Sequence, residues 1–196
     1  MVEPFIIISM STKDLALRIV KDQFGVLAEV QMVRCSEIQE ICNFVSNRDH
    51  PSFPEILQNF AHAAGKSAAE ASEFTLGFTP ILAPMSRGIL ATVSARMTDK
   101  AKTLSDEEIR AVWSKAYEGQ DFMVLLPEGT LPATGNIIGS NAAHLQVVTD
   151  RKAGRIYAFA AIDNLNRGTA GQAVQSLNIA LGLPEDAGLT KIGVAP

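Results

Sequence analysis

Apolar positions along this chain switch between a two-residue spacing and the wider spacing of a helix face, and the switches mark the elements. Residues 3–9 read as a short buried strand. Ser11 then offers an N-cap to a helix over 13–24, with Leu15, Leu17, Ile19, Val20 and Phe24 as its apolar positions. A second strand is expected over 26–33. A helix from Ser36 to Val45 follows, with Ile38, Ile41, Cys42 and Val45 on one side. After the polar link 46–54, Pro54 suits the first position of a helix over 54–64, where its missing N–H costs nothing. From there strand and helix alternate more clearly, with strands over 74–79, 88–97, 122–126, 145–149 and 156–162. Ser105-Asp106-Glu107-Glu108 has the form of a capping box, opening a helix whose buried stripe is Ile109, Val112, Trp113 and Ala116. Residues 150–154 supply a hairpin turn and 171–181 the closing helix. Hairpin-joined strands with a few helices predict an α+β domain, a mixed and mostly antiparallel sheet with helices on one face.

Composition narrows the class without changing that picture. At 196 residues the chain fits one domain with a small appendage. A hydrophobic fraction of 47% excludes a disordered chain. The net charge of −4 argues against a nucleic-acid partner, since phosphate binding brings a basic surface. The apolar start, Phe5-Ile6-Ile7-Ile8, lacks a basic leader and is too short to span a bilayer. Cys35 and Cys42, the two cysteines, have no zinc or redox-motif spacing. The expectation is a cytoplasmic protein without a membrane partner or a bound metal.

The chemistry concentrates in one stretch, Phe78-Thr79-Pro80-Ile81-Leu82-Ala83-Pro84-Met85-Ser86-Arg87-Gly88-Ile89-Leu90-Ala91-Thr92. Two prolines stiffen the approach to an apolar strand, and Arg87 stands at its mouth. A guanidinium there suits a carboxylate or phosphate, whose two oxygens its planar fork can grip; an ordinary surface arginine at a strand start is the other reading. This wording resembles a segment of the N-acetyl-gamma-glutamyl-phosphate reductases, members of the semialdehyde-dehydrogenase group. Two further blocks agree in order. One is Pro127-Glu128-Gly129-Thr130-Leu131-Pro132-Ala133-Thr134 with Gly139-Ser140-Asn141. The other is Ala161-Ile162-Asp163-Asn164-Leu165, running through Gly168 and Ala170-Gly171-Gln172 to Leu177-Asn178. The resemblance covers about 54–189.

The resemblance implies a glyceraldehyde-phosphate-dehydrogenase-like catalytic and dimerisation domain over 51–196; residues 1–50 match the family poorly, and their strand-helix-strand rhythm leaves open a remnant or replacement of the Rossmann cofactor domain. It implies NADPH-dependent reduction of an acyl phosphate to a semialdehyde through a cysteine thioester, and an N-acetylglutamate-type small molecule as substrate. Arg87, Ser140 and Asn141 become the substrate-binding candidates. Asn164 and Gly168 become the candidates for contact with NADP. Each has a plainer reading: Gly139-Ser140-Asn141 as a turn, and Asn164 as the asparagine of a strand-to-helix turn.

The chain also departs from the family pattern. No strand-linked glycine-rich turn marks a dinucleotide fold, and neither Cys35 nor Cys42 sits in the family's proline-glycine-cysteine turn. His50, in His50-Pro51-Ser52-Phe53-Pro54-Glu55-Ile56, aligns with the first of two family histidines, and Ser52 replaces the second. His50 is therefore the candidate base, or an idle loop histidine. Ile81 stands where many members carry histidine. The sequence thus predicts the substrate and dimerisation half of a reductase, incomplete alone, forming a homo-dimer or meeting a separate cofactor-domain chain. The alternative is a non-catalytic oligomerisation or binding module that kept the fold.

Overall fold

The computed structural model describes residues 27–35, 52–83 and 85–194. The expected elements over 3–9, 13–24 and 36–45, together with His50 and Cys42, lie outside the described residues. Six strands form one sheet in the order β2-β1-β3-β6-β5-β4. They are β1 (Leu27–Cys35), β2 (Thr75–Ala83), β3 (Ile89–Arg96), β4 (Met123–Leu125), β5 (Ala143–Asp150) and β6 (Arg155–Ile162). β1 runs parallel to β2, and β4 parallel to β5; the pairings β1–β3, β3–β6 and β5–β6 are antiparallel. The sheet is mixed and mostly antiparallel, as the sequence predicts.

The central register decides where the core lies. Ile89 faces Ile162, Ala91 faces Ala160, Val93 faces Ala158 and Ala95 faces Ile156, all buried. Residues directly opposite across a ladder share a face, so this side of the sheet is continuously apolar. Ala143 and Leu145 of β5 extend it. Into the same cluster come Ile56 and Phe60 of α1 (Ser52–Ala63), Ala101 of α2 (Asp99–Thr103), and Ile109 and Trp113 of α3 (Asp106–Ala116). The alanines at 91, 158 and 160 keep the sheet surface low where large helical side chains must fit.

The capping box of α3 forms as its sequence predicts. Ser105 Oγ accepts from Glu108 N–H, and the Glu108 carboxylate accepts from Ser105 N–H at 2.7 Å. A Gln146-centred clamp, which the sequence did not announce, fixes the 127–130 loop. Gln146 Nε2 donates to the carbonyls of Pro127 (2.7 Å) and Thr130 (2.8 Å), while its Oε1 accepts from Arg110 Nη1 at 2.5 Å. The other face of the sheet carries half-buried Leu90, Thr92, Tyr157 and Phe159 and exposed Val148. No helix among the described residues is long and apolar enough to cross a membrane.

Candidate functional site

The β3–β6 register that builds the core also builds the site. Because Ile89 pairs with Ile162, the residues just before β3, Arg87 and Gly88, lie beside those just after β6, Asp163 and Asn164. Because Ala143 pairs with the same Ile162, the 139–142 segment enters from the third side. The three sequence blocks that carry the resemblance therefore meet at one end of the sheet.

Asp163 is their hub, and its side chain has no exposed surface. Arg87 grips it side-on, with Nε donating to Oδ1 at 2.8 Å and Nη2 reaching Oδ2 at 2.7 Å. Three backbone N–H groups complete the shell: Gly139 to Oδ2 at 2.6 Å, Leu165 to Oδ1 at 2.9 Å and Asn166 to Oδ1 at 3.0 Å. Burial pushes this carboxyl up. The guanidinium and the backbone donors outweigh burial and hold it below the usual carboxylate range.

Arg87 is a third exposed. Its side-on grip uses Nε and Nη2, so Nη1 keeps its N–H groups for something else, and it has no hydrogen-bond partner among the described residues. Asn164 is fixed in a comparable way. Its Oδ1 accepts from Gly88 N–H at 2.7 Å. A backbone N–H can only donate, so the oxygen must face it and the amide nitrogen must point elsewhere. That nitrogen also has no partner among the described residues. Gly88 is required here: its φ is 107°, and a Cβ would come within 2.8 Å of Thr134 Cβ.

Ser140 and Asn141 are wholly buried, so neither side chain meets a surface a ligand could reach. Ser140 Oγ donates to the Ile137 carbonyl, and Asn141 Nδ2 donates to Gln175 Oε1, each at 3.0 Å. Both frame the loop that presents the Gly139 N–H. The tail covers them, with Asn141 N–H donating to the Thr190 carbonyl and Val194 N–H to that of Ile138. Gly168 N–H donates to the Asp163 carbonyl at 3.0 Å within a π-helical turn (Asn166–Ala170). A Cβ at Gly168 would make only ordinary contacts, the nearest at 3.7 Å, so packing within the described residues does not demand glycine there. The structure thus gathers Arg87, Ser140, Asn141, Asn164 and Gly168 at one end of the sheet.

His62 is exposed. His144, on β5, has a buried Nδ1 without a hydrogen bond, and burial pulls its pKa below the ordinary histidine value. Among the described residues no group of three His, Cys, Asp or Glu side chains is placed to hold a metal ion. Sequence reasoning missed Asp163 as a site residue although it quoted the segment. A signal was present: an acid closing the apolar run Ala158-Phe159-Ala160-Ala161-Ile162 needs a buried partner, and Arg87 was the cation already in view.

Residues 28–164 match the family described as semialdehyde dehydrogenase, dimerisation domain. The N-acetyl-gamma-glutamyl-phosphate reductase of Bifidobacterium longum (strain NCC 2705) is 86% identical over 170 residues, which are 87% of this chain and 47% of that protein. The reductase of the same name from Mycobacterium avium (strain 104) is 52% identical over 147 residues, 75% of this chain and 39% of that one. The chain thus spans about half the length, or less, of the curated relatives it matches. Among solved structures, aspartate semialdehyde dehydrogenase II of Vibrio cholerae, complexed with ASA, aligns with a TM-score of 0.57 at 14% identity. That alignment covers 83% of this chain and 56% of that one, and at such identity the likeness is one of fold.

Proposed function

We propose that this chain, which belongs to the semialdehyde dehydrogenase family through its dimerisation domain, is the substrate-holding and dimer-forming half of an N-acetyl-gamma-glutamyl-phosphate reductase acting in the cytoplasm. The observation that carries this reading is a pair of side chains fixed from behind with donors left over. Arg87 is held by Asp163 and keeps Nη1; Asn164 is held by Gly88 and keeps Nδ2.

Each leftover donor suits one part of the reaction. Arg87 Nη1 presents charged N–H groups to the carboxylate of an N-acetylglutamate-type substrate, at an angle Asp163 has already set. Asn164 Nδ2 presents a neutral donor fit for the carboxamide oxygen of a nicotinamide. When bound, NADPH would supply hydride; this chain's part is to orient the carboxamide. Ser140 and Asn141 contribute through the loop they frame, by aiming the Gly139 N–H at Asp163. Gly168 closes the turn that follows Asn164. His50 is the candidate base on sequence grounds. The cysteine nucleophile and dinucleotide fold that such a reductase needs would come from the part of the relatives beyond the matched region.

A titration of N-acetylglutamate semialdehyde into the purified chain, followed by calorimetry, tests this. Saturable binding is expected, weakened about tenfold or more in both Arg87→Ala and Arg87→Lys, because lysine cannot hold Asp163 side-on and donate outward as well. Circular dichroism establishes that the variants are folded. Absence of binding by the unaltered chain would remove the substrate role. It would leave the second reading, a non-catalytic oligomerisation module, which the half-buried aromatics Tyr157 and Phe159 on the sheet face opposite the core favour.

A further inference from the structure

A single loop, 134–141, stands behind both leftover donors of the site. Thr134 rests on Gly88, where a Cβ would come within 2.8 Å, and Gly88 N–H holds Asn164. Further along, Gly139 is held at both ends of its backbone. Its N–H donates to Asp163 at 2.6 Å and its carbonyl accepts from Asn166 Nδ2 at 2.7 Å, while Asp163 in turn holds Arg87. A shift of this loop therefore moves Arg87 and Asn164 together.

The segment 190–194 fixes the loop from its other side. Asn141 N–H donates to the Thr190 carbonyl at 2.7 Å, and Val194 N–H donates to the Ile138 carbonyl at 2.8 Å. Between these two bonds Gly193 lies against the loop backbone, where a Cβ would come 2.5 Å from the Asn136 carbonyl oxygen and 3.1 Å from its carbon. Backbone atoms cannot swing aside as the end of a side chain can, so the fit requires glycine. Lys191 pins the outer edge, with Nζ 2.6 Å from Asp121 Oδ1. Apolar burial does not explain why the segment lies here, since Ile192 and Val194 are 80% and 62% exposed. Its hold is backbone hydrogen bonding and the fit of one glycine, against a loop whose Ile137, Ser140 and Asn141 are wholly buried.

We propose that residues 190–194 are a positioning strap, with Gly193 as its point of contact, that fixes the 134–141 loop and so aims Arg87 Nη1 and Asn164 Nδ2. The inference rests on the functional reading above and adds a determinant of the site's geometry that acts through the loop alone. Its signature is local. Displacing Asn136 lengthens the Gly139–Asp163 bond, and Asp163 loses one of the donors that hold its carboxyl low, so its titration midpoint rises. A segment that served stability alone would leave that carboxyl where it is.

The test is NMR and semialdehyde titration of the full chain and two variants. Gly193→Ala sets a methyl against the Asn136 carbonyl, and Val194→Pro removes the N–H that bonds Ile138 at an exposed position. Expected in both are a raised Asp163 midpoint, amide exchange at Gly139 faster by about tenfold or more, and N-acetylglutamate semialdehyde binding weaker by a similar factor. Ser105→Ala is the control. It weakens the α3 cap at the end of the sheet where Arg151 holds Asp106, and should move neither the Asp163 midpoint nor the binding. An Asp163 midpoint unchanged in both variants overturns the proposal. So does a raised midpoint with the semialdehyde affinity unaltered, because the segment would then be structural only. Failure of the functional reading would show separately, as an unaltered chain that binds no semialdehyde while the Asp163 shift persists; the strap would then have no site to aim.

Discussion

Asp163 is surrounded by donors because no water can reach it, and its shell ties three distant chain segments together. Replacing one carboxylate oxygen by an amide nitrogen sets a donor against donors. Asp163→Asn should therefore cost about 2–4 kcal/mol, less than a fully enclosed pair because Arg87 remains a third exposed. The sign of the pH dependence follows from the depressed carboxyl. Its contribution is complete above the ordinary aspartate value near 3.8 and is lost as pH falls from there through the lower folded-state value. Urea unfolding at pH 7 and pH 3 should show a smaller loss of stability in Asp163→Asn than in the unaltered chain; equal losses would deny Asp163 this part. At this scale the sequence shows the types and not their partners. Arg87 and Asn164 stand out by wording, but 76 residues separate Arg87 from Asp163. Ser140 and Asn141 read as an open turn because the tail that buries them lies some fifty residues on.

Elements with local signals are legible and those set by distant contacts are not. The α3 capping box is written in four consecutive residues and forms as written. Ser105→Ala should lower stability by about 1 kcal/mol, seen as a reduced urea midpoint at unchanged slope. By contrast α2 spans five residues, too few to show an apolar stripe, although Thr98 caps it through Ala101 N–H at 3.1 Å. The parallel pairing of β1 with β2 is invisible in either strand's pattern, since it depends on a crossover that α1 completes. The wide turn at 166–170 has no apolar periodicity to mark it. Its shape is imposed by Asp163, whose carboxylate holds Leu165 and Asn166 and whose carbonyl holds Gly168.

At the scale of the whole molecule, the two faces of the sheet differ in how the described residues cover them. The helices cover the Ile89–Ile162 side of the sheet. The opposite side leaves Leu90, Tyr157 and Phe159 half-buried, with the two rings stacked 6.3 Å apart. In a chain whose family is named for dimerisation, this is the surface on which we expect a second copy. Phe159→Glu should convert a dimer to a folded monomer by sedimentation; a dimer indifferent to that change would place the contact elsewhere. The measurement that tests the half-reductase reading most directly is NADPH oxidation driven by N-acetyl-gamma-glutamyl phosphate, with the chain held constant and the folded remainder of the Bifidobacterium longum relative titrated in. The account predicts no oxidation by the chain alone and a rate that rises with the added half and levels at equal amounts. Oxidation by the chain alone, or a rate no greater than the added half gives by itself, would contradict it.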